Sequence, residues 1–265
     1  MMALLRADAY RVLHSRWPWV IAGVAALFTL APALLMRWAA VGPTVYDGLT
    51  VSALSLNGCA VLVGIMAAIA TCDKASLSFD RTALSSLGAR ARRTWFAEKC
   101  AFAVLLSGAT LLYALALGLL GLLVSGAPVL NPEPAWQVAV WLGCAWLGCS
   151  TYAVLTVLVG QLARNDNVAG AFAAFAASGM LEGAAVLGID VLCYFVGGAF
   201  LNLSEAILPW LPAGALSAVS AGAGALLTPD GAGLVPAARE LIVCVPVIAA
   251  TVAASAFLAS RRDVA

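Results

Sequence analysis

The sequence predicts an all-α, polytopic membrane protein with six transmembrane helices, formed as a single domain over residues 1–265. Hydrophobic residues make up 63% of the chain and charged residues 10%; a soluble domain carries roughly a quarter charged residues. The mean hydropathy is +1.01, and long apolar runs recur along the whole chain. Because lipid offers no hydrogen bonds to an exposed backbone, we expect these runs to be helices.

Six apolar stretches are each long enough to cross about 30 Å of hydrocarbon at about 1.5 Å of rise per residue. We expect spans at 17–36, 49–71, 101–124, 136–163, 168–187 and 241–260. The chain stays apolar from residue 168 to 201, where a continuous helix would measure about 51 Å. Gly188 and Asp190 therefore predict a break near the outer surface.

The segment at 189–228 decides the number of spans. It is moderately apolar and contains Pro209 and Pro212. We expect short helices that lie in or dip into the outer interface. Two further full spans are the alternative. Both arrangements leave the C-terminus on the same side, so the charge distribution does not separate them.

Basic residues predict the orientation. With the N-terminus inside, twelve of the fourteen lysines and arginines fall in cytoplasmic segments, and only Arg37 and Arg239 fall outside. The positive-inside rule therefore predicts that both termini are cytoplasmic. The external segments carry acidic residues instead, namely Asp47, Glu133, Glu205, Asp230 and Glu240.

Residues 4–19, LLRADAYRVLHSRWPW, predict an interfacial N-terminal helix along the inner membrane face. Their apolar residues share one arc, and Arg6, Asp8 and Arg11 are available to the other. Pro18 stands where the chain turns into the first span. No small-residue cleavage site follows that span, so we expect it to be retained rather than removed as a signal peptide.

A polar loop joins the second and third spans. Nine of the chain's 14 basic and 13 acidic residues lie between Cys72 and Cys100. The predicted orientation makes this the largest cytoplasmic loop. Two interpretations remain open: a membrane-surface loop attracted to anionic lipids, or a docking element for a cytoplasmic partner.

Two helices are predicted around this loop. Leu84 and Leu87 share the apolar face of the first, and Gly88 ends it. The second begins at Ala89 and continues into the third span. Its first turns carry the basic residues Arg90, Arg92 and Arg93.

The order of these elements resembles that of permease subunits of the type-2 ABC exporter family. Those proteins combine an interfacial N-terminal helix, six spans, a cytoplasmic coupling loop between spans two and three, and an external hairpin between spans five and six. Residues 4–19 are similar to the family's leucine-rich N-terminal pattern, LxAELxKLxRS. The chain departs from the coupling-loop pattern at Arg81, where glycine usually precedes the threonine. The similar loop residues are Asp80, Thr82, Leu84, Leu87, Gly88, Arg90, Arg92, Arg93 and Lys99.

The resemblance implies a separate ABC ATPase subunit as partner. The chain has no GxxxxGK[ST] motif, so ATP would be bound by the partner, and the chain itself is expected to be neither an enzyme nor a cofactor carrier. A second permease copy or a related permease, in a bacterial plasma membrane, would complete an exporter of an amphipathic substrate such as an antimicrobial peptide, drug or lipid. The implied ATPase-coupling residues are Leu84, Leu87, Gly88, Arg90, Arg92, Arg93 and Lys99.

Glu182 is the candidate substrate-path residue, because acidic residues deep in an apolar stretch are costly and often functional. Pairing with a basic residue of a neighbouring helix is its alternative role. Gly179 and Gly183 form a GxxxG pattern that permits close helix packing.

Other chemistries are disfavoured by the sequence. His14 is the only histidine, and the seven cysteines are scattered without a CxxC pair, so no metal site, catalytic triad or disulfide framework is predicted. A net charge of +1 does not favour nucleic acid as a partner. The alternative to a permease is a non-transporting polytopic membrane protein that acts as an assembly or immunity factor.

Overall fold

The computed structural model describes residues 2–38, 48–72, 89–163, 165–195, 206–229 and 233–261. All regular elements in these ranges are helices, which confirms the all-α prediction. The α-helices are α1 (Met2–His14), α2 (Arg16–Trp38), α3 (Leu49–Ala53), α4 (Leu56–Cys72), α5 (Ala89–Ser125), α6 (Ala135–Ala163), α7 (Asp166–Ala177), α8 (Met180–Phe195), α9 (Pro212–Ser220) and α10 (Pro236–Arg261). A 3-10 turn at Leu208–Trp210 precedes α9.

Four described helices are long and apolar enough to cross a membrane: α2, α5, α6 and α10. They contain the spans predicted at 17–36, 101–124, 136–163 and 241–260. The pair α7 and α8 counts as a fifth if the two bent segments form one span. These helices fit a multi-pass membrane protein, and the count of six spans stays a prediction.

The span predicted at 49–71 is interrupted. Leu54 adopts an extended conformation (φ −148°, ψ 122°) that separates α3 from α4. α4 has 17 residues, or about 25 Å of helix, which is shorter than the hydrocarbon core. α3 instead packs against α5 at Gly118. A Cβ added to Gly118 would lie 1.5 Å from the carbonyl oxygen of Ala53.

The break expected near Gly188 and Asp190 lies elsewhere. Both residues are helical within α8, and the chain bends by 63° between α7 and α8. Gly179 stands at this bend with φ +78°, a left-handed conformation that glycine adopts without strain. The apolar run is therefore divided near its middle.

The centre of the bundle is formed by α4 and α6. α4 packs against α6 and α7, and α6 also packs against α5 and α10. α2 is peripheral: it packs along α5, and Pro18 is its one buried residue. α8 is equally open, with Cys193 alone buried. Most of the surfaces of α2 and α8 are thus available to lipid or to another protein.

The two ends of the bundle differ. We call the end formed by α1, the start of α5 and the end of α6 the foot. The opposite end, formed by α3, residues 126–134 and the C-terminal end of α9, is the cap. The predicted orientation would place the foot in the cytoplasm.

Candidate functional site

A buried ion pair connects α1 to α5 at the foot. The Lys99 Nζ donates to Asp8 Oδ2 at 2.6 Å, although 91 residues separate them in sequence. Both side chains are at most 2% exposed. Arg11, one turn further along α1, also donates to Asp8, and the Lys99 ammonium lies 5.4 Å from the ring centroid of Trp95. The pair fixes the predicted interfacial helix to the helix that leaves the predicted coupling loop.

The structure separates the predicted coupling residues into different environments. Lys99 is buried against Asp8 and does not present its ammonium to a partner at the foot surface. Arg93 is exposed. Arg90 and Arg92 lie in the first turn of α5 and are described by their backbone alone, and Leu84, Leu87 and Gly88 lie outside the described residues. Lys99 therefore holds α1 against α5, and Arg93 is the exposed residue in the described part of this set. The ATPase-coupling role of the set stays a prediction.

α5 is one continuous helix of 37 residues, or about 55 Å. That length exceeds the hydrocarbon core of a bilayer by about 25 Å. Arg90 and Arg93 are near its first residue, whereas Ser125 ends it at the cap. A displacement at the start of α5 would therefore be carried along a single rigid element.

Glu133 organises the cap. Its Oε2 accepts from the Leu49 backbone N–H at 2.6 Å, and its Oε1 accepts from the N–H and Oγ1 of Thr50 at 3.3 and 2.6 Å. Thr50 Oγ1 also accepts from the Ala223 N–H at 2.9 Å. Partial burial raises the pKa of Glu133, but these hydrogen bonds outweigh it and hold the pKa below its usual value. One carboxylate thus connects the start of α3, the entry to α6 and the chain after α9.

α9 reaches into the bundle rather than lying across its surface. Its first turn contacts Glu182, which also accepts from the Tyr152 hydroxyl. Tyr152 is eleven residues before the end of α6, or about 16 Å from it. The other end of α9 is at the cap, where Trp141 Nε1 donates to the Val219 carbonyl at 2.9 Å. Within the segment 189–228, the nine-residue helix α9 is therefore packed into the helix bundle, and its position relative to the membrane stays a prediction.

Glu182 caps α9. Its Oε1 and Oε2 accept from the Ala213 N–H at 3.0 and 2.9 Å, and Oε1 lies 3.5 Å from the Tyr152 hydroxyl. A carboxylate at a helix N-terminus satisfies an N–H group that has no intrahelical acceptor and interacts favourably with the helix dipole. This contact gives Glu182 a structural role, and its place on a substrate path stays a prediction.

The two glycines of the GxxxG pattern have different surroundings. A Cβ added to Gly179 would lie 3.6 Å from Ala213 Cβ, and one added to Gly183 would meet nothing within 4 Å. Gly179 forms the bend between α7 and α8. Gly183 therefore leaves an open position on α8 with respect to the described residues.

Arg239 and Glu240 were expected in an external segment before span six. They belong instead to the first turns of α10 and are buried, at 3% and 0% exposed. The Cys244 Sγ donates to Glu240 Oε1 at 3.2 Å. The facing residue on α6 is Gly148, where an added Cβ would lie 2.5 Å from the same oxygen. Both residues are buried because α10 begins at Pro236 and α9 packs against it, and the side of the membrane on which they lie stays a prediction.

A cavity of about 660 Å³ lies between α2, the α3–α4 break and α5. α2 and α4 contact each other little, whereas α2 packs along α5. Apolar side chains line most of the cavity, and hydroxyl groups lie at its cap end. Among the lining residues are Ile21, Ala25, Met36, Ser52, Leu62 and Ser125. Glu182 is outside this cavity.

Comparison with family models, with curated proteins and with solved structures found no match to this chain.

Proposed function

We propose that the chain is the permease subunit of an ATP-driven exporter of the type-2 ABC family, which moves an amphipathic substrate with energy from a separate ATPase subunit. The observation that carries the proposal is the Asp8–Lys99 ion pair. It joins the two elements that the family resemblance assigns to the ATPase side, namely the interfacial helix α1 and the helix that follows the coupling loop. This proposal places the foot in the cytoplasm of a bacterial cell.

The mechanism follows from the continuity of α5. An ATPase docked on the loop before Ala89 and on the exposed Arg93 would push on the first turns of α5. Because α1 is fixed to α5 through Asp8 and Lys99, α1 would move with it. Alternation between inward- and outward-open states requires two arrangements of packed helices, and ATP binding in the partner would favour one of them.

Two permease copies are expected in the assembly, and α8 offers the surface for the second. Its exposed apolar side chains and the open position at Gly183 favour helix packing across a dimer axis. The exposed apolar residues of α8 are Met180, Leu181, Leu187, Val191, Leu192, Tyr194 and Phe195.

Co-purification tests the proposal. The tagged full chain would be extracted from its native membrane after crosslinking in intact cells, and the proteins that accompany it would be identified by mass spectrometry. Wild type is compared with Leu84→Asp/Arg90→Glu, which alters the predicted docking loop. Arg37→Glu is the matched control, because it reverses one charge on an exposed arginine at the cap.

We expect an ATP-binding-cassette subunit to accompany wild type and the Arg37→Glu control and to be lost from the loop variant at equal membrane insertion. Absence of any ATPase from crosslinked wild type would contradict the proposal and favour a non-transporting membrane protein. Equal recovery with all three chains would leave an ATPase partner but remove the loop as its docking surface.

A further inference from the structure

The cavity between α2, α4 and α5 has the dimensions of a lipid-binding groove. Its volume of about 660 Å³ is typical of sites that enclose a small organic ligand. Its lining along α2 extends from Ile21 to Met36, a helical length of about 22 Å. One leaflet of a bilayer supplies about 15 Å of hydrocarbon, so the groove is long enough to hold an acyl chain along its whole length.

The backbone creates the groove. The extended residue Leu54 interrupts the helix, and Gly118 lets the Ala53 carbonyl approach α5 closely. α3 therefore rests on α5, while α4 stands away from α2. In a membrane, the apolar space left between α2 and α4 is in contact with lipid tails, since α2 itself is scarcely buried in the protein.

A cation stands at the cap end of the groove. Arg37 directly follows the lining residue Met36, and its Nη1 donates to the Val124 carbonyl at 3.2 Å, next to the lining residue Ser125. Among the described residues, Arg37 makes this one hydrogen bond, so most N–H groups of its exposed guanidinium are available to another acceptor. Arg239, the other basic residue described near the cap, is buried.

We propose that the groove binds an anionic phospholipid, with one acyl chain between α2 and α4 and the phosphate on Arg37. A planar guanidinium recognises phosphate through paired hydrogen bonds, and the position of Arg37 at the end of a membrane-spanning helix matches the headgroup level. The proposal does not depend on transport. It requires a membrane-embedded α2, which its length and composition support.

Native mass spectrometry of the purified full chain tests this site. The chain is titrated with phosphatidylglycerol and, separately, with diacylglycerol that carries the same acyl chains but no phosphate. Arg37→Gln removes the cation, with Arg16→Gln as the matched control at the foot. Ala25→Phe fills the groove, with Leu27→Phe as its control on the exposed side of α2, outside the lining.

We expect wild type to prefer phosphatidylglycerol about fivefold, the factor that one basic residue near the surface supports. Arg37→Gln should lose this preference and keep its binding of diacylglycerol, whereas Arg16→Gln should retain the preference. Ala25→Phe should lower the binding of both lipids, and Leu27→Phe should bind both as wild type does. Thermal unfolding of each variant shows whether a loss of binding reflects misfolding.

Several outcomes would overturn the site. Equal affinity of wild type for the two lipids removes the role of Arg37. An equal loss of preference in Arg16→Gln and Arg37→Gln shows general attraction of anionic lipid to the surface. Unchanged lipid binding in a folded Ala25→Phe variant places the lipid outside the groove.

Discussion

The foot and the cap hold their helices by different chemistry. At the foot, Asp8 and Lys99 neutralise each other as two buried, oppositely charged side chains. At the cap and just below it, Glu133 and Glu182 accept hydrogen bonds from backbone N–H groups at the starts of α3 and α9. The difference follows from helix length. α3 and α9 have five and nine residues, so their unpaired terminal N–H groups are a large part of their backbone. In the 37-residue helix α5 the terminal N–H groups are a small part of the backbone, and the ion pair serves to hold α5 against α1.

This comparison predicts unequal sensitivity to substitution. A buried ion pair is costly to break on one side because the remaining charge stays buried. A capping carboxylate is replaced more easily, since an amide still accepts a hydrogen bond. Removal of one charge should therefore lower the stability most at the foot. At the cap, stability should fall when close helix packing is disturbed or a hydrogen-bond acceptor is removed.

The largest effect is expected from Lys99→Met. Asp8 would keep the half-exposed Arg11 as a partner, but it would lose the buried ammonium of Lys99. We expect a loss of about 3 kcal/mol in the free energy of unfolding, measured by denaturation of the detergent-solubilised chain.

The control is the double variant Asp8→Asn/Lys99→Met, which removes both charges. It should be more stable than Lys99→Met, and a double-mutant cycle with Asp8→Asn gives the coupling between the two residues. Additive losses in the cycle would mean that the two side chains do not interact.

The second effect concerns the shape of the cap. Gly118→Ala would place a Cβ 1.5 Å from the Ala53 carbonyl oxygen, so α3 must move away from α5. We expect a loss of about 2 kcal/mol in stability. Gly143→Ala on α6 is the control, because its Cβ would meet nothing within 4 Å and alanine favours a helix by up to about 1 kcal/mol. Equal melting temperatures for the two variants would show that α3 does not rest on α5.

A smaller effect is expected at the start of α9. Glu182→Ala removes both acceptors of the Ala213 N–H and should cost about 1 kcal/mol, as other lost helix caps do. Glu182→Gln keeps one carbonyl acceptor and should recover most of this stability. If Glu182→Ala unfolds at the same temperature as wild type, Glu182 does not cap α9.

The long spans could be predicted from the sequence, because their signal is simply the length of an apolar run. Residues 17–36, 101–124, 136–163 and 241–260 fall within observed helices. The interruptions could not. Leu54 is an ordinary apolar residue whose type does not indicate an extended conformation. Gly179 is one of 24 glycines, and the sequence does not distinguish it as the residue at which the chain bends. Only the packing of α3 on α5 and of α9 on α6 shows where the chain must break.

Some residues of the site could be predicted from the sequence, but their partners could not. The basic pattern before span three identified Lys99, but its partner Asp8 is 91 residues away, and no local pattern connects the two. Glu240 was placed in an external segment because the sixth apolar run was taken to begin at residue 241. A weak signal existed: proline is favoured in the first turn of a helix, and Pro236 lies five residues before the expected start at residue 241.

The smallest expected effect is the contribution of Glu133 at the cap to the pH dependence of stability. The hydrogen bonds to Glu133 outweigh its partial burial and lower its pKa in the folded chain. The stabilisation is therefore fully present above the pKa of an unfolded glutamate, roughly 4.3, and is lost as the pH falls through the lower folded-state value. We expect melting temperatures of wild type to decline over this acidic range, and Glu133→Gln to decline less.

Glu133→Gln should also cost about 1 kcal/mol near neutral pH, because an amide oxygen replaces a carboxylate that accepts three hydrogen bonds. The comparison is made in an Asp8→Asn/Lys99→Met background, which removes the charged pair at the foot. In that background, removal of Glu133 should flatten the remaining acid-dependent loss. Parallel pH profiles with and without the Glu133→Gln substitution would mean that the carboxylate does not hold α3, and the contrast between the two ends of the bundle would then rest on Glu182 alone.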